Sequence, residues 1–176
     1  MRRNIDPRNF KPAIIYTIYI AAPPETVWKA LTTAEFSRNY FSGFAIEADL
    51  KIGGAFIARA PDGSVHISGE VIECDPPRKL TVTWNVNWPA LVEKLGPTLV
   101  TYEIEPAGDV VRLTMLQSHD RDISDDILSG GRAGWPAILS SLKSLLETGE
   151  PLVIRMQPPQ RMLAALKEMG IKVPGG

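Results

Sequence analysis

Between Phe44 and Ser118 the chain alternates apolar and polar residues with a period of two, and this pattern constrains the fold more than any other feature. Phe44, Ile46, Ala48 and Leu50 alternate with Ala45, Glu47, Asp49 and Lys51 ahead of Gly53-Gly54. Phe56, Ala58 and Ala60 lead to the turn Pro61-Asp62-Gly63, and Val65, Ile67, Gly69 and Val71 form a further strand closed by Asp75-Pro76-Pro77. Over residues 80 to 88 the alternation is complete: Leu80, Val82, Trp84, Val86 and Trp88 are apolar, and Thr81, Thr83, Asn85 and Asn87 are polar. Successive strand side chains point to opposite faces, so this period predicts an antiparallel sheet with one face buried and one wet. A hairpin joins 98–105 to 110–118 through Pro106-Ala107-Gly108-Asp109. Pairing Glu105 with Val110 sets Tyr102 opposite Leu113, Val100 opposite Met115, and Glu103 opposite Arg112.

Helices flank the sheet. Residues 13–20 read as a strand stopped by Pro23-Pro24, and 24–31 as a short helix whose Val27, Trp28 and Leu31 share one side. Thr33 is positioned to cap a second helix that carries Phe36 and Tyr40 and ends by Gly43. Ala90 to Leu95 read as one helical turn. Ser124-Asp125-Asp126 is a helix start, and Ile138, Leu139, Leu142, Leu145 and Leu146 give a helical stripe ending at Gly149. Pro136 removes the bond to the Arg132 carbonyl, so the reading is one kinked helix, with a fresh start near Arg132 as the alternative. After Pro158-Pro159, Met162, Ala165, Leu166 and Met169 mark a short amphipathic helix, expected to pack on its own domain. Residues 1–150 thus read as a single α+β domain, a curved antiparallel sheet wrapped around a long C-terminal helix, and 151–176 as an extension ending in a loose Pro-Gly-Gly.

Composition narrows the functions. The 176 residues carry 19 Lys+Arg against 20 Asp+Glu, which lacks the basic excess of a nucleic-acid binder. No apolar run approaches the roughly 20 residues that span a bilayer. Cys74 has no partner for a disulfide, and Met1-Arg2-Arg3 is followed by polar residues rather than a signal-peptide core, so a cytoplasmic location is expected. One Cys and two distant His cannot supply a zinc site, and no glycine pattern matches a phosphate loop; no metal or cofactor is expected. Ser118-His119-Asp120 reads as a strand end, His66 as solvent-facing, Glu103 and Glu105 as a wet sheet surface, and Cys74 as an inert thiol.

The inward parity is where chemistry gathers. Trp84, Trp88, Tyr102, Leu113 and Met115 share the buried face, opposite a helix bearing Trp135 and Leu139, and Gln117 falls on the same parity. Trp84, Trp88, Tyr102, Met115, Gln117, Trp135 and Leu139 are therefore the candidate lining of a ligand cavity between sheet and helix. Tyr16, Tyr102 and Gln117 are its candidate polar groups.

The order of elements is the helix-grip arrangement, and the words match as well. The stretch Ala21-Ala22-Pro23-Pro24-Glu25-Thr26-Val27-Trp28-Lys29-Ala30-Leu31-Thr32, then Gly53-Gly54, Gly69-Glu70-Val71-Ile72-Glu73, Pro76-Pro77-Arg78-Lys79-Leu80 and Thr83-Trp84, resembles the START-like SRPBCC superfamily. Arg112-Leu113-Thr114 and Gly134-Trp135 with Leu139, Leu142 and Leu146 resemble the branch similar to the C-terminal domain of the activator of heat-shock-protein-90 ATPase. The chain departs from that branch in having Tyr40 where many relatives carry Trp, and Gln117 where a histidine is common. The resemblance implies a helix-grip fold and no catalytic residue. Three functions follow from it: a non-catalytic module holding a small apolar or amphipathic molecule, a cyclase- or hydratase-like enzyme in which Tyr16 or Tyr102 polarises a carbonyl, and an interaction protein of the chaperone-activator type. The first leads. A chaperone partner is not expected, because about thirteen residues precede the first strand where the full activator has a further domain, and a homodimer is left open.

Overall fold

The computed structural model describes residues 5–173; the opening Met1-Arg2-Arg3 and the expected loose end at Pro174 to Gly176 lie outside the described residues. In β1 (Lys11–Ile20), Ile14 and Ile20 are buried while Ile15 and Tyr19 stay exposed, the signature of a strand with one dry face. After it, α1 (Pro24–Thr32) and α2 (Ala34–Tyr40) cross one end of the sheet. The Thr33 side chain does not cap α2 as expected. Its hydroxyl instead donates to the Lys29 carbonyl at 2.8 Å, because the end of α1 leaves that carbonyl within reach.

The meander continues through β2 (Ala45–Ala48), β3 (Ala55–Arg59), β4 (Val65–Asp75), β5 (Lys79–Thr83) and β6 (Asn85–Val86), then α3 (Pro89–Leu95), β7 (Thr98–Ala107) and β8 (Val110–His119). All pairings are antiparallel, in the spatial order β1-β8-β7-β5-β4-β3-β2, with β6 beside β4.

Residues 80–88 are not the single strand their alternation predicts. An extra residue in β4, between Val71 paired with Val82 and Glu73 paired with Thr81, makes a bulge that bends the sheet. Beyond the bend the Thr83 carbonyl approaches Gly69 so closely that a β-carbon there would lie 1.9 Å from it, and the Thr83 hydroxyl takes the Glu70 N–H at 2.8 Å. The ladder resumes as β6 against Ile67 and Ser68. In the β7–β8 hairpin the expected register is two residues out. Ala107 pairs with Val110 across Gly108-Asp109, so Glu105 faces Arg112, Tyr102 faces Met115 and Val100 faces Gln117. Gly108 adopts a φ of 67°, which permits the tighter turn. A shift of two keeps every side chain on its expected face.

The last long element, α4 (Asp125–Thr148), is continuous through Pro136. The Ser124 hydroxyl accepts from the Ile127 N–H, and Gly149 closes the helix in the left-handed conformation. Its start is therefore near Ser124, as the sequence suggests. Leu139 and Leu142 sink into the main core with Phe56, Val82, Tyr102, Leu113 and Met115. The chain then turns back along α4, where the Ser141 and Ser144 hydroxyls hold the Leu152 and Glu150 carbonyls, and α5 (Gln160–Glu168) packs on the N-terminal half of α4. There Leu166 and Ile171 join Leu91 of α3 and Ile127 of α4 in a second, smaller cluster.

A half-open aromatic cleft with one polar wall

Where the bent sheet diverges from α4, a half-open cleft of about 310 Å³ remains between the two clusters. The sheet contributes Trp84, Val86, Thr98, Gln117 and His119, α3 contributes Leu91, and Phe41 and Phe44 enter from the loop after α2. On the helix side, space is made by glycine. A β-carbon at Gly131 would stand 2.7 Å from Ile14 Cδ1 and 3.1 Å from Gln117 Oε1, and one at Gly130 would stand 2.4 Å from the Met162 sulfur. Met162 of α5 and Met156 of the returning segment close the outer wall. The aromatic faces are continuous: the Trp84 and Trp135 ring centroids lie 5.3 Å apart, and Trp84 also neighbours Phe41 at 6.2 Å.

The buried wall carries a chain of hydrogen bonds whose direction is fixed by its first member. An indole can only donate, so Trp135 Nε1–H bonds Gln117 Oε1 at 2.9 Å. That orients the amide, whose Nε2–H meets His119 Nε2 at 3.1 Å. The imidazole accepts there and so carries its proton on Nδ1, which faces the Thr98 hydroxyl at 3.3 Å. His119 is 1% exposed, and burial is the largest influence on it, holding its pKa below the ordinary 6.5; Arg121 acts in the same direction and Asp120 against it. The ring is neutral at pH 7. His66, on the rim, stacks on Phe44 with centroids 4.0 Å apart, and desolvation lowers its pKa too.

Not all of the expected lining residues meet here. Trp84, Gln117 and Trp135 stand on the cleft wall, whereas Tyr102, Met115 and Leu139 lie behind it in the main core and Trp88 packs against the second cluster. Tyr16 is committed elsewhere. Its hydroxyl donates at 3.0 Å to the Arg132 carbonyl, the group that Pro136 leaves without a helical partner. Burial raises the pKa of Tyr102 far above that of a free phenol, so it stays protonated. Sequence reasoning missed His119 and Thr98. The parity that turns Gln117 inward also turns His119 inward, two residues on, and Thr98 pairs directly with it.

A larger groove of about 520 Å³ lies on the other side of Val92 and Gly96, where Glu70, Glu93 and Arg121 join uncharged residues in its wall. Among the described residues no group of three His, Cys, Asp or Glu could hold a metal, and no helix is long and apolar enough to cross a membrane.

A curved antiparallel sheet gripping one long helix, with a cleft at their junction, defines a START-like helix-grip protein of α+β class. Within that class the chain belongs to the family of Activator of Hsp90 ATPase homolog 1-like proteins, whose model matches residues 21–147. The fold is similar to that of protein MLL2253 from Mesorhizobium loti, at 27% identity over 76% of this chain and 96% of that one, with a TM-score of 0.61. It is also similar to the Aha1 dimer from Colwellia psychrerythraea, at 21% identity over 77% and 96% of the two chains and a TM-score of 0.63. DynU16, a protein of the dynemicin biosynthetic locus, matches at 21% identity over 81% of this chain and 49% of that one, with a TM-score of 0.64. A comparison of the sequence with curated proteins gave no match.

Proposed function

We propose that this protein is a non-catalytic binding module that holds a small apolar or amphipathic molecule in the cleft between the sheet and α4, acting in the cytoplasm. The observation that carries this reading is the cleft itself. At about 310 Å³, with aromatic and aliphatic walls and a single buried polar chain, it has the size and make-up of a small-molecule site. Trp84 and Trp135 supply contact area, and Gln117 supplies orientation. The remaining expected lining residues, Trp88, Tyr102, Met115 and Leu139, act by holding the wall in position. Native mass spectrometry of protein purified from its own host tests the reading, together with titration of hydrophobic fluorophores against Trp84→Ala. A co-purifying mass and at least tenfold weaker dye binding by the variant support it. An unliganded mass and unchanged dye binding would sink it.

A second reading, a cyclase- or hydratase-like enzyme working in the same cleft, is favoured by His119, a titratable group on the cleft wall. In that reading His119, rather than Tyr16 or Tyr102, is the candidate base, once the Gln117 amide releases its Nε2. The relative from a biosynthetic locus is compatible with it. Loss of turnover on a ketide substrate in His119→Gln, with binding retained, would separate the two readings.

A further inference from the structure

We infer that the occupant of the cleft is an uncharged, compact molecule that brings a hydrogen-bond acceptor, a carbonyl or ether oxygen, to the Gln117 end of the polar wall. The inference rests on the ligand-binding reading and adds the chemical class.

Two observations carry it. First, among the described residues that line the cleft there is no Asp, Glu, Lys or Arg, and both lining histidines have their pKa values lowered by desolvation. A carboxylate or ammonium group brought against the buried wall loses its water and gains no counter-charge. A ligand that places its charge against the buried wall is thereby disfavoured. Second, the polar chain leaves two of its protons without an acceptor, while each of its acceptor atoms already takes one bond. Counting from the indole, Trp135 gives its one proton to Gln117 Oε1, and the amide gives one of its two to His119 Nε2. The imidazole gives its Nδ1 proton to Thr98 Oγ1. What is left over is the second amide proton of Gln117 and the hydroxyl proton of Thr98, both donors on residues that line the cleft. Both imidazole nitrogens are engaged, so the histidine of this wall offers a ligand no lone pair. A ligand oxygen satisfies these protons, while a hydrocarbon of the same shape strips them of water and returns nothing.

The Gln117 amide gives the same uncharged donor at every physiological pH.

The test uses three ligands of one shape: 2-acetylnaphthalene, 2-ethylnaphthalene and 2-naphthoate. Each is titrated into the wild-type protein at equal concentrations below its solubility limit, and the Trp84 and Trp135 indole signals are followed by ¹H–¹⁵N NMR. The ketone is expected to bind about fivefold more tightly than the hydrocarbon, in line with one net hydrogen bond, and more than tenfold more tightly than the carboxylate. In Gln117→Leu, whose fold is checked by thermal unfolding, the ketone's advantage over the hydrocarbon should vanish. Equal binding of ketone and hydrocarbon, or of ketone and naphthoate, in the wild type overturns the inference and leaves the binding reading standing. Failure of all three to move either indole signal overturns both.

Discussion

The two halves of α4 lie on one continuous helix and do opposite things. From Ile138 onward it presents Leu139 and Leu142, which are fully or nearly fully buried in the main core. Before Trp135 it presents Gly130, Gly131 and Gly134, and the room they leave is filled from elsewhere: by Ile14 and Gln117 from the sheet, and by the thioethers of Met162 and Met156. One half is packed by its own side chains, while the other adds flexible ends borrowed from neighbours to its own Ile127 and Leu128. The contrast shows how a helix-grip domain can hold a dense core and an open cleft along the same element.

The largest effect that sharpens this contrast is expected in the packed half. Leu142→Ala should lower unfolding free energy by about 2–5 kcal/mol, while Met162→Ala in the open half should lose less than half as much; urea unfolding of both variants measures the difference. Next comes the junction. Tyr16→Phe leaves the Arg132 carbonyl without its donor and is expected to destabilise by about 1 kcal/mol, but Pro136→Ala restores a helical N–H to that carbonyl. A double-mutant cycle should therefore show coupling of at least about 0.5 kcal/mol, and additivity would mean the hydroxyl does not replace the missing bond.

The glycines give a smaller and sign-changing pair. A β-carbon at Gly134 meets nothing closer than the Met156 sulfur at 3.9 Å, so Gly134→Ala should stabilise by about 0.5–1 kcal/mol through helix propensity. Gly131→Ala should gain nothing, since its methyl collides with the buried Ile14 side chain, and calorimetric melting temperatures distinguish the two. The smallest effect is that of pH. Because the folded pKa of His119 lies below 6.5, the unfolded chain binds the extra proton first. The stability this residue contributes is complete above pH 6.5 and falls away as pH drops below it toward the folded value. His119→Gln should flatten the dependence of the urea midpoint on pH over that window, though His66 will leave a residue of it.

Much of this molecule is legible in the sequence, for reasons specific to its elements. Strand parity depends on local alternation, so the inward placement of Leu80, Val82, Tyr102 and Met115 could be read directly. Register depends on the turn, and Pro106-Ala107-Gly108-Asp109 accommodates either a four-residue or a two-residue loop. The bend at Trp84 depends on an extra residue in a different strand, which nothing in 80–88 itself reveals. For the cleft, parity identified Gln117, but which inward residues face space and which face core is decided by α3, α5 and the glycines of α4. For that reason Trp84 and Trp135 meet at the wall while Trp88 does not, and His119, dismissed beside Ser118 and Asp120, stands beside Gln117.

The hydroxyl of Tyr16 bound to the carbonyl that Pro136 frees has a consequence for inheritance. The proline withdraws a donor and the tyrosine, 120 positions earlier in the chain, supplies one. The two residues share one hydrogen bond, so in lineages descended from a common ancestor positions 16 and 136 should tend to change together. A relative with alanine at 136 no longer needs a hydroxyl at 16 for this carbonyl, and one that keeps the proline gains from keeping it.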